Sequence, residues 1–227
     1  GYPLQQTLNG GFTSGNNPSL LNIEIDNANG VSLTGNTRLT NQIVFTKGHI
    51  YLNNFDLILG AGASLNNYDV NKHVVTNGTG VLTKQAINTG ADFIFPVSIA
   101  GTDYTPAIVT NVIANRNISV QVKDYATSAS IETTFVNKGM ERTWQITSNL
   151  PGAANVTLQH NAGTNTNGVG TNESGFNNVY AFVSQQMTPG SWTQSCTGLD
   201  GGMPISINTG NNFNLPVVLF CITHIHT

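Results

Sequence analysis

Apolar residues along this 227-residue chain alternate with polar ones far more often than they recur at every third or fourth place. The alternation is clear in Leu21-Asn22-Ile23-Glu24-Ile25, Ile43-Val44-Phe45, Ile50-Tyr51-Leu52 and Leu57-Ile58-Leu59. It returns in Ile118-Ser119-Val120-Gln121-Val122, Trp144-Gln145-Ile146, Val156-Thr157-Leu158 and Val179-Tyr180-Ala181-Phe182. A period of two points successive side chains to opposite faces, which is how a half-buried strand is written. Gly or Asn breaks the pattern roughly every 8–12 residues, as short strands joined by tight turns require. The chain is expected to be all-β, with helical signals nearly absent.

In the first third the pattern repeats. Ile23-Glu24-Ile25-Asp26-Asn27 matches Ile50-Tyr51-Leu52-Asn53-Asn54, and Val31-Ser32-Leu33 matches Leu57-Ile58-Leu59. Leu39-Thr40-Asn41 then matches Leu65-Asn66-Asn67, so the offset is about 26 residues. Short strands between Asn/Gly corners suit the turns of a β-solenoid, in which no turn buries its apolar edge alone and stacked turns share a core. Two copies and a looser stretch from Val74-Val75 to Val81-Leu82 predict a short β-solenoid-like strand repeat over residues 1–90. Near residue 91 the texture changes, as Phe93-Ile94-Phe95-Pro96-Val97 and Tyr104-Thr105-Pro106 bring in aromatics and prolines. About seven later strands predict an immunoglobulin-like β-sandwich over 91–227, with Trp144 as a core anchor on a central strand. Residues 161–178, rich in Gly, Asn and Thr, are expected to form a long surface excursion.

Charge narrows the function classes. Only 8% of residues are charged, 8 basic against 11 acidic, where an average soluble domain has about 25%. Without a basic stripe to neutralise phosphates, nucleic acid is not an expected partner. The longest apolar runs, 217–222 among them, fall far short of the roughly 20 residues that span a bilayer. In place of charge stand 31 Asn, 28 Thr and 24 Gly. Amides and hydroxyls hydrate a surface without the like-charge repulsion that holds soluble proteins apart, so lateral packing costs little. This suits an extracellular β protein living in an assembly. Gly1-Tyr2-Pro3 at the start fits a processed mature form or a fragment. Cys196 and Cys221 are expected to pair in an oxidising compartment and tie the last strand to the turn after Trp192. Such a loop is worth about 3–4 kcal/mol through the unfolded state, and two buried free thiols are the alternative.

Several short motifs carry a resemblance. They are Leu57-Ile58-Leu59-Gly60-Ala61-Gly62-Ala63-Ser64-Leu65, Val75-Thr76-Asn77-Gly78-Thr79-Gly80-Val81-Leu82-Thr83-Lys84, Phe95-Pro96-Val97 and Tyr104-Thr105-Pro106. With Arg142-Thr143-Trp144-Gln145-Ile146-Thr147 and Ala154-Asn155-Val156-Thr157-Leu158, the chain resembles secreted and cell-surface proteins of Bacteroidota exported by the type IX route. The resemblance spans roughly residues 20–220 and implies a short solenoid-like repeat before a sandwich. It implies an adhesin-like or structural role and supplies no catalytic motif. Many such proteins continue into a C-terminal sorting domain that is removed on export; none is expected within these 227 residues, whether through cleavage or because the sequence stops before it, and the ending through His224-Ile225-His226 departs from theirs.

Catalytic chemistry finds little footing. The carboxylates Glu24, Asp26, Asp56, Asp69, Asp92, Asp103, Asp124, Glu132, Glu141, Glu173 and Asp200 contain no local pair of the kind a glycosidase sets across a cleft. There is no Gly-x-Ser-x-Gly elbow, and Cys221, three residues before His224, is more economically structural. His224 and His226 could form half of a metal site, with His49, His73, His160 or a carboxylate as a third ligand that nothing locates. Asp26-Asn27-Ala28-Asn29-Gly30 has oxygen donors and a turn glycine but lacks the distal Glu of a calcium loop, so a solvated Asx turn is expected. The sequons at Asn77, Asn117, Asn155 and Asn172 are no more than this composition yields by chance. Tyr2, Tyr51, Phe55, Tyr68, Tyr104, Tyr125 and Trp192 could stack on sugar rings if exposed, Trp192 foremost. The expectation is a non-enzymatic extracellular structural or adhesive protein, without cofactor or metal. Its partners would be other surface proteins or copies of itself, polymerised head to tail through the uncharged segment 1–21 and the apolar strand 215–227. The alternative is a carbohydrate-binding module of a larger secreted protein.

Overall fold

The structure, a computed structural model, describes residues 4–13, 15–88, 91–110, 112, 115–123, 139–150, 152–159, 181–188, 191–198, 206–208, 213–215 and 217–223. For 139–142, 152–153 and everything from 181 onward it describes the course of the backbone. Every regular element among the described residues is a strand.

The first part winds into about 4 stacked turns, a β-solenoid-like arrangement. The first turn holds β1 (Gln6–Asn9) and β2 (Leu20–Asp26), and the second β3 (Val31–Gly35) and β4 (Thr37–Lys47). The third holds β5 (Ile50–Tyr51), β6 (Leu57–Leu59) and β7 (Ser64–Asn66), and the fourth β8 (Val74–Val75) and β9 (Leu82–Ile87). Beyond them come β10 (Phe93–Phe95) and β11 (Val97–Ser98). β1, β3, β5, β8 and β11 form one parallel sheet, while β2, β4, β6 with β7, and β9 form the parallel part of another.

Like residues stack from turn to turn and build the core. Val31, Ile50, Val74 and Val97 form one column. Leu20, Leu39 and Leu59 form a second, and Ile23, Ile43 and Leu65 a third. The sequence repeat located the solenoid but not its register. Ile23 pairs with Ile43, whereas Ile50 belongs to the other sheet. Bonds between successive turns join residues 20, 24 or 25 positions apart, so no single offset maps them. Alternation over three-residue strands fits several frames equally, and two of the three 26-residue matches cross between sheets.

Past the fourth turn the large sheet continues in antiparallel sense. β9 pairs with β13 (Arg116–Lys123), Leu82 opposite Val120, and β13 pairs with β14 (Gly139–Ser148). Then follow β20 (Val217–Thr223), β16 (Ala181–Thr188) and the edge strand β17 (Ser191–Gly198). A smaller sheet holds β10, β12 (Ala107–Thr110), β15 (Gly152–Gln159) and β18 (Ser206–Asn208), with β19 (Phe213–Leu215) also on β15. Ladder hydrogen bonding therefore runs across residue 90 without a break, and β11 still belongs to the solenoid sheet.

One core runs through both parts, from Ile25 and Phe45 to Val120, Ile146 and Val156. Trp144, fully buried on β14 between β13 and β20, is the expected anchor, and its indole N–H donates to the Thr105 carbonyl at 2.8 Å. Thr76 ties the fourth turn to β13: its hydroxyl bonds to the carbonyls of Ser98 and Val122, and the Val122 N–H donates back at 3.0 Å.

Two expectations for the C-terminal part are corrected by the register. The terminal apolar strand is no exposed edge, because β20 is paired on one side with β14 and on the other with β16. Nor is the Cys196–Cys221 bridge seen. Both cysteines lie opposite Val183, Cys196 on β17 and Cys221 on β20, with β16 between them. Two interstrand spacings put their Cα atoms about 9.5 Å apart, beyond the roughly 4.4–6.8 Å that a disulfide spans.

Candidate functional site

Beside the strand ladders, asparagine side chains tie several corners of successive turns together. Asn36 Oδ1 accepts the Asp56 N–H at 2.9 Å, and Asp56 Oδ1 accepts the Val81 N–H at 3.1 Å one turn later. At another corner Asn77 Nδ2 donates to Asn53 Oδ1 at 2.9 Å, and the Asn53 N–H donates to Asn77 Oδ1 at 2.9 Å. Asn53 Nδ2 reaches back to Ser32 Oγ and the Leu33 carbonyl. A short amide with one donor and one acceptor arm bonds both its neighbours in a stack, and it tolerates the left-handed backbone of Asn53, φ 53°. The Asx turn expected at Asn27 is present, with the Asn29 N–H on Asn27 Oδ1 at 3.0 Å, but Asn27 is buried rather than solvated, its Nδ2 donating to the Leu4 carbonyl at 2.9 Å.

A second column carries imidazoles. His49 precedes β5 and His73 precedes β8, one turn on, with ring centres 4.4 Å apart and edge to face. The His73 N–H donates to His49 Nδ1 at 3.3 Å. His73 Nδ1 lies 3.2 Å from the Asp69 carbonyl, which can only accept, so that nitrogen carries the proton. His73 Nε2 then accepts from Ser98 Oγ at 2.7 Å, the single hydroxyl proton being shared with the Ala100 carbonyl at 2.8 Å. Burial, aided by the neighbouring His49, pulls His73 down to about 4 from the ordinary 6.5. Burial also lowers His49. Ser98, His73 and a carbonyl stand in the order of a nucleophile, its base and an orienting group, but serine and imidazole are both fully buried. A substrate would have to unpack the fourth turn to reach them, so the arrangement serves as a neutral internal joint. Around it, Tyr51 packs edge to face on His49 at 5.9 Å and Tyr104 tilts over His73 at 5.2 Å. Burial raises the hydroxyls of Tyr51, Tyr68 and Tyr104 above the ordinary value.

Lys84 occupies the column of Leu39 and Leu59 and is buried. Its ammonium donates to the carbonyls of Gly60 and Ala61, each at 2.6 Å, and sits 5.6 Å from the Phe93 ring centre. Burial lowers its pKa.

The first turn differs from those behind it. Leu8, Leu20 and Ile23 are only partly buried, whereas their partners Leu33, Leu39 and Ile43 are fully so. Leu4 and Leu21 are 76% and 63% exposed. Among the described residues β1 pairs with β3 alone and β2 with β4 alone, so one edge of each faces outward. The carboxylates here have partners: Thr46 Oγ1 donates to Glu24 at 2.7 Å, and Asp26 meets Lys47 at 2.9 Å.

The other sequence candidates scatter. Asp56 serves a corner, and Asp69 accepts the Asn71 N–H at 2.8 Å and meets Lys72 at 3.1 Å. Trp192 lies near the start of β17, with its side chain outside the described residues. Tyr2, Tyr125, His160, Asp124, Glu132, Glu173, Asp200, His224, His226 and the stretch 161–178 also fall outside them. Among the described residues no group of three or more His, Cys, Asp or Glu could hold a metal ion, and no helix is long and apolar enough to cross a membrane. Sequence reasoning missed the imidazole column, whereas an open end at the uncharged N-terminal segment was expected. The signal for the column was two histidines 24 positions apart, each just ahead of a short apolar strand. No family model, curated protein or solved structure matches this chain.

Proposed function

We propose that this chain is a non-enzymatic extracellular protein of structural or adhesive type, working among copies of itself on a cell surface. The observation that carries the reading is the first solenoid turn, with two outward strand edges and a half-covered apolar column in a chain that has few charges to repel a neighbour. The polar chemistry that the fold assembles is spent on joining turns, as the buried Ser98–His73 pair and the amide corners illustrate. The resemblance to type IX-exported surface proteins of Bacteroidota supports the same reading. In it, the two antiparallel sheets of the second part are an immunoglobulin-like sandwich carried at the end of the solenoid. Because β20 lies inside the large sheet, assembly through the C-terminal strand is dropped and the first turn keeps that role.

Beads coated with the chain are expected to cluster with one another, and to release when soluble chain is added in excess. Failure to adhere to each other, to cells or to glycans would overturn the reading. One observation favours carbohydrate binding as the second reading: Tyr51, Tyr68 and Tyr104 gather, partly exposed, around the imidazole column. Glycan binding lost on Tyr104→Ala but kept by Leu21→Lys would favour it.

A further inference from the structure

We propose that the first solenoid turn is a self-complementary interface through which two copies of this chain join head to head, β2 against β2 in antiparallel sense about a two-fold axis at Ile23. The inference deepens the self-association reading and rests on it.

The opening turn presents two outward edges at one end of the solenoid, with Leu8, Leu20 and Ile23 half-covered between them. A surface that fits them needs two strand edges at the same separation. Among the described residues the opposite ends of these sheets do not offer that. At β11 the Val97 carbonyl already accepts the Thr105 N–H at 3.1 Å, and the large sheet has turned antiparallel by β13. The first turn of another copy does offer it. A patch that meets its own image is an isologous contact, and such a contact closes at two copies instead of growing into a filament.

The sequence of β2 suits this register. About an axis at Ile23, within the regular stretch from Asn22 to Ile25, isoleucine meets isoleucine and Glu24 meets Asn22, while Asp26 lies beyond a register shift, so no carboxylate directly opposes another. Asp26 is already matched by Lys47 at 2.9 Å, Glu24 is held by Thr46, and β1 carries no charge. Leu4 and Leu21, the two most exposed large apolar side chains described, flank the contact.

Sedimentation equilibrium of the 227-residue chain is expected to show a monomer–dimer equilibrium with no larger species. Leu21→Lys, at an exposed edge position, is expected to raise the dissociation constant at least about tenfold while leaving the melting temperature of the dilute protein unchanged. For the register, Asn22→Cys and Glu24→Cys chains are mixed and oxidised, and the linked peptides are read by mass spectrometry. The mixed pair is expected to link several-fold faster than either variant with itself. A monomer at every concentration, a dimer indifferent to Leu21→Lys, or self-linking as fast as mixed linking would overturn the proposal. Open-ended growth would overturn closure while leaving the self-association reading intact. Dimers in solution without bead clustering would do the reverse.

Discussion

His73 shows what a single buried side chain does to this fold. Held near pKa 4, it stays neutral in the folded chain over a range in which the unfolded chain, at the ordinary 6.5, takes up a proton. Stability therefore falls as pH drops from about 6.5 to about 4, by about 3 kcal/mol from this residue, and changes little through it above pH 7. Urea midpoints measured across that range should track the loss, and His73→Gln should flatten the slope even if it lowers the plateau. Asn53 offers a second test. Asn53→Ala removes bonds to Asn77, Ser32 and Leu33 and strains a left-handed backbone, so about 2–4 kcal/mol is expected to go. Asn53→Gly, which keeps the backbone freedom, should cost roughly 1 kcal/mol less. Composition announced many Asn, and tight turns were the natural use for them. That they also bond across turns depends on which corners stack, which alternation over short strands leaves open.

Among the elements, corners decide more than strands. Gly48 has φ 77°, and a Cβ there would run into the Asn27 carbonyl of the preceding corner. Gly11 has φ 64° but only Pro18 within reach, at 3.8 Å. Gly48→Ala is expected to cost about 3 kcal/mol or more and Gly11→Ala about 1 kcal/mol, a contrast that thermal melts of the two variants would resolve. The strands themselves were largely legible, because Ile23-Glu24-Ile25 or Val156-Thr157-Leu158 can bury one face only by extending. Their pairing was less so. The C-terminal strand looked like an unpaired edge because its composition suits pairing equally well at an edge and in the middle of a sheet, and only β14 and β16 place it in the middle. Lys84 was hidden for a related reason: a lysine in an alternating run looks solvated until the carbonyls of Gly60 and Ala61 are brought to it.

In the whole molecule, the change of texture near residue 91 suggested a boundary, yet the β9–β13 pairing and the Thr76 bonds carry the core across it. Heating should therefore melt both parts together, with far-ultraviolet circular dichroism and tryptophan fluorescence giving one coincident midpoint; two separated transitions would refute the coupling. Mechanical load acts differently. Among the described residues β1 and β2 form an outer turn, whereas the last described strand, β20, is wedged between two neighbours. Tension applied at the N-terminal side peels one ladder at a time, so a tethered molecule would yield in steps. Each turn lost frees 20–25 residues, a gain in contour of about 70–85 Å that optical tweezers can count. Tension on β20 must instead shear two ladders together. A copy fixed to a surface by its C-terminal part would thus pay out slack like a brake under drag and rewind when the drag is gone, while its anchorage holds.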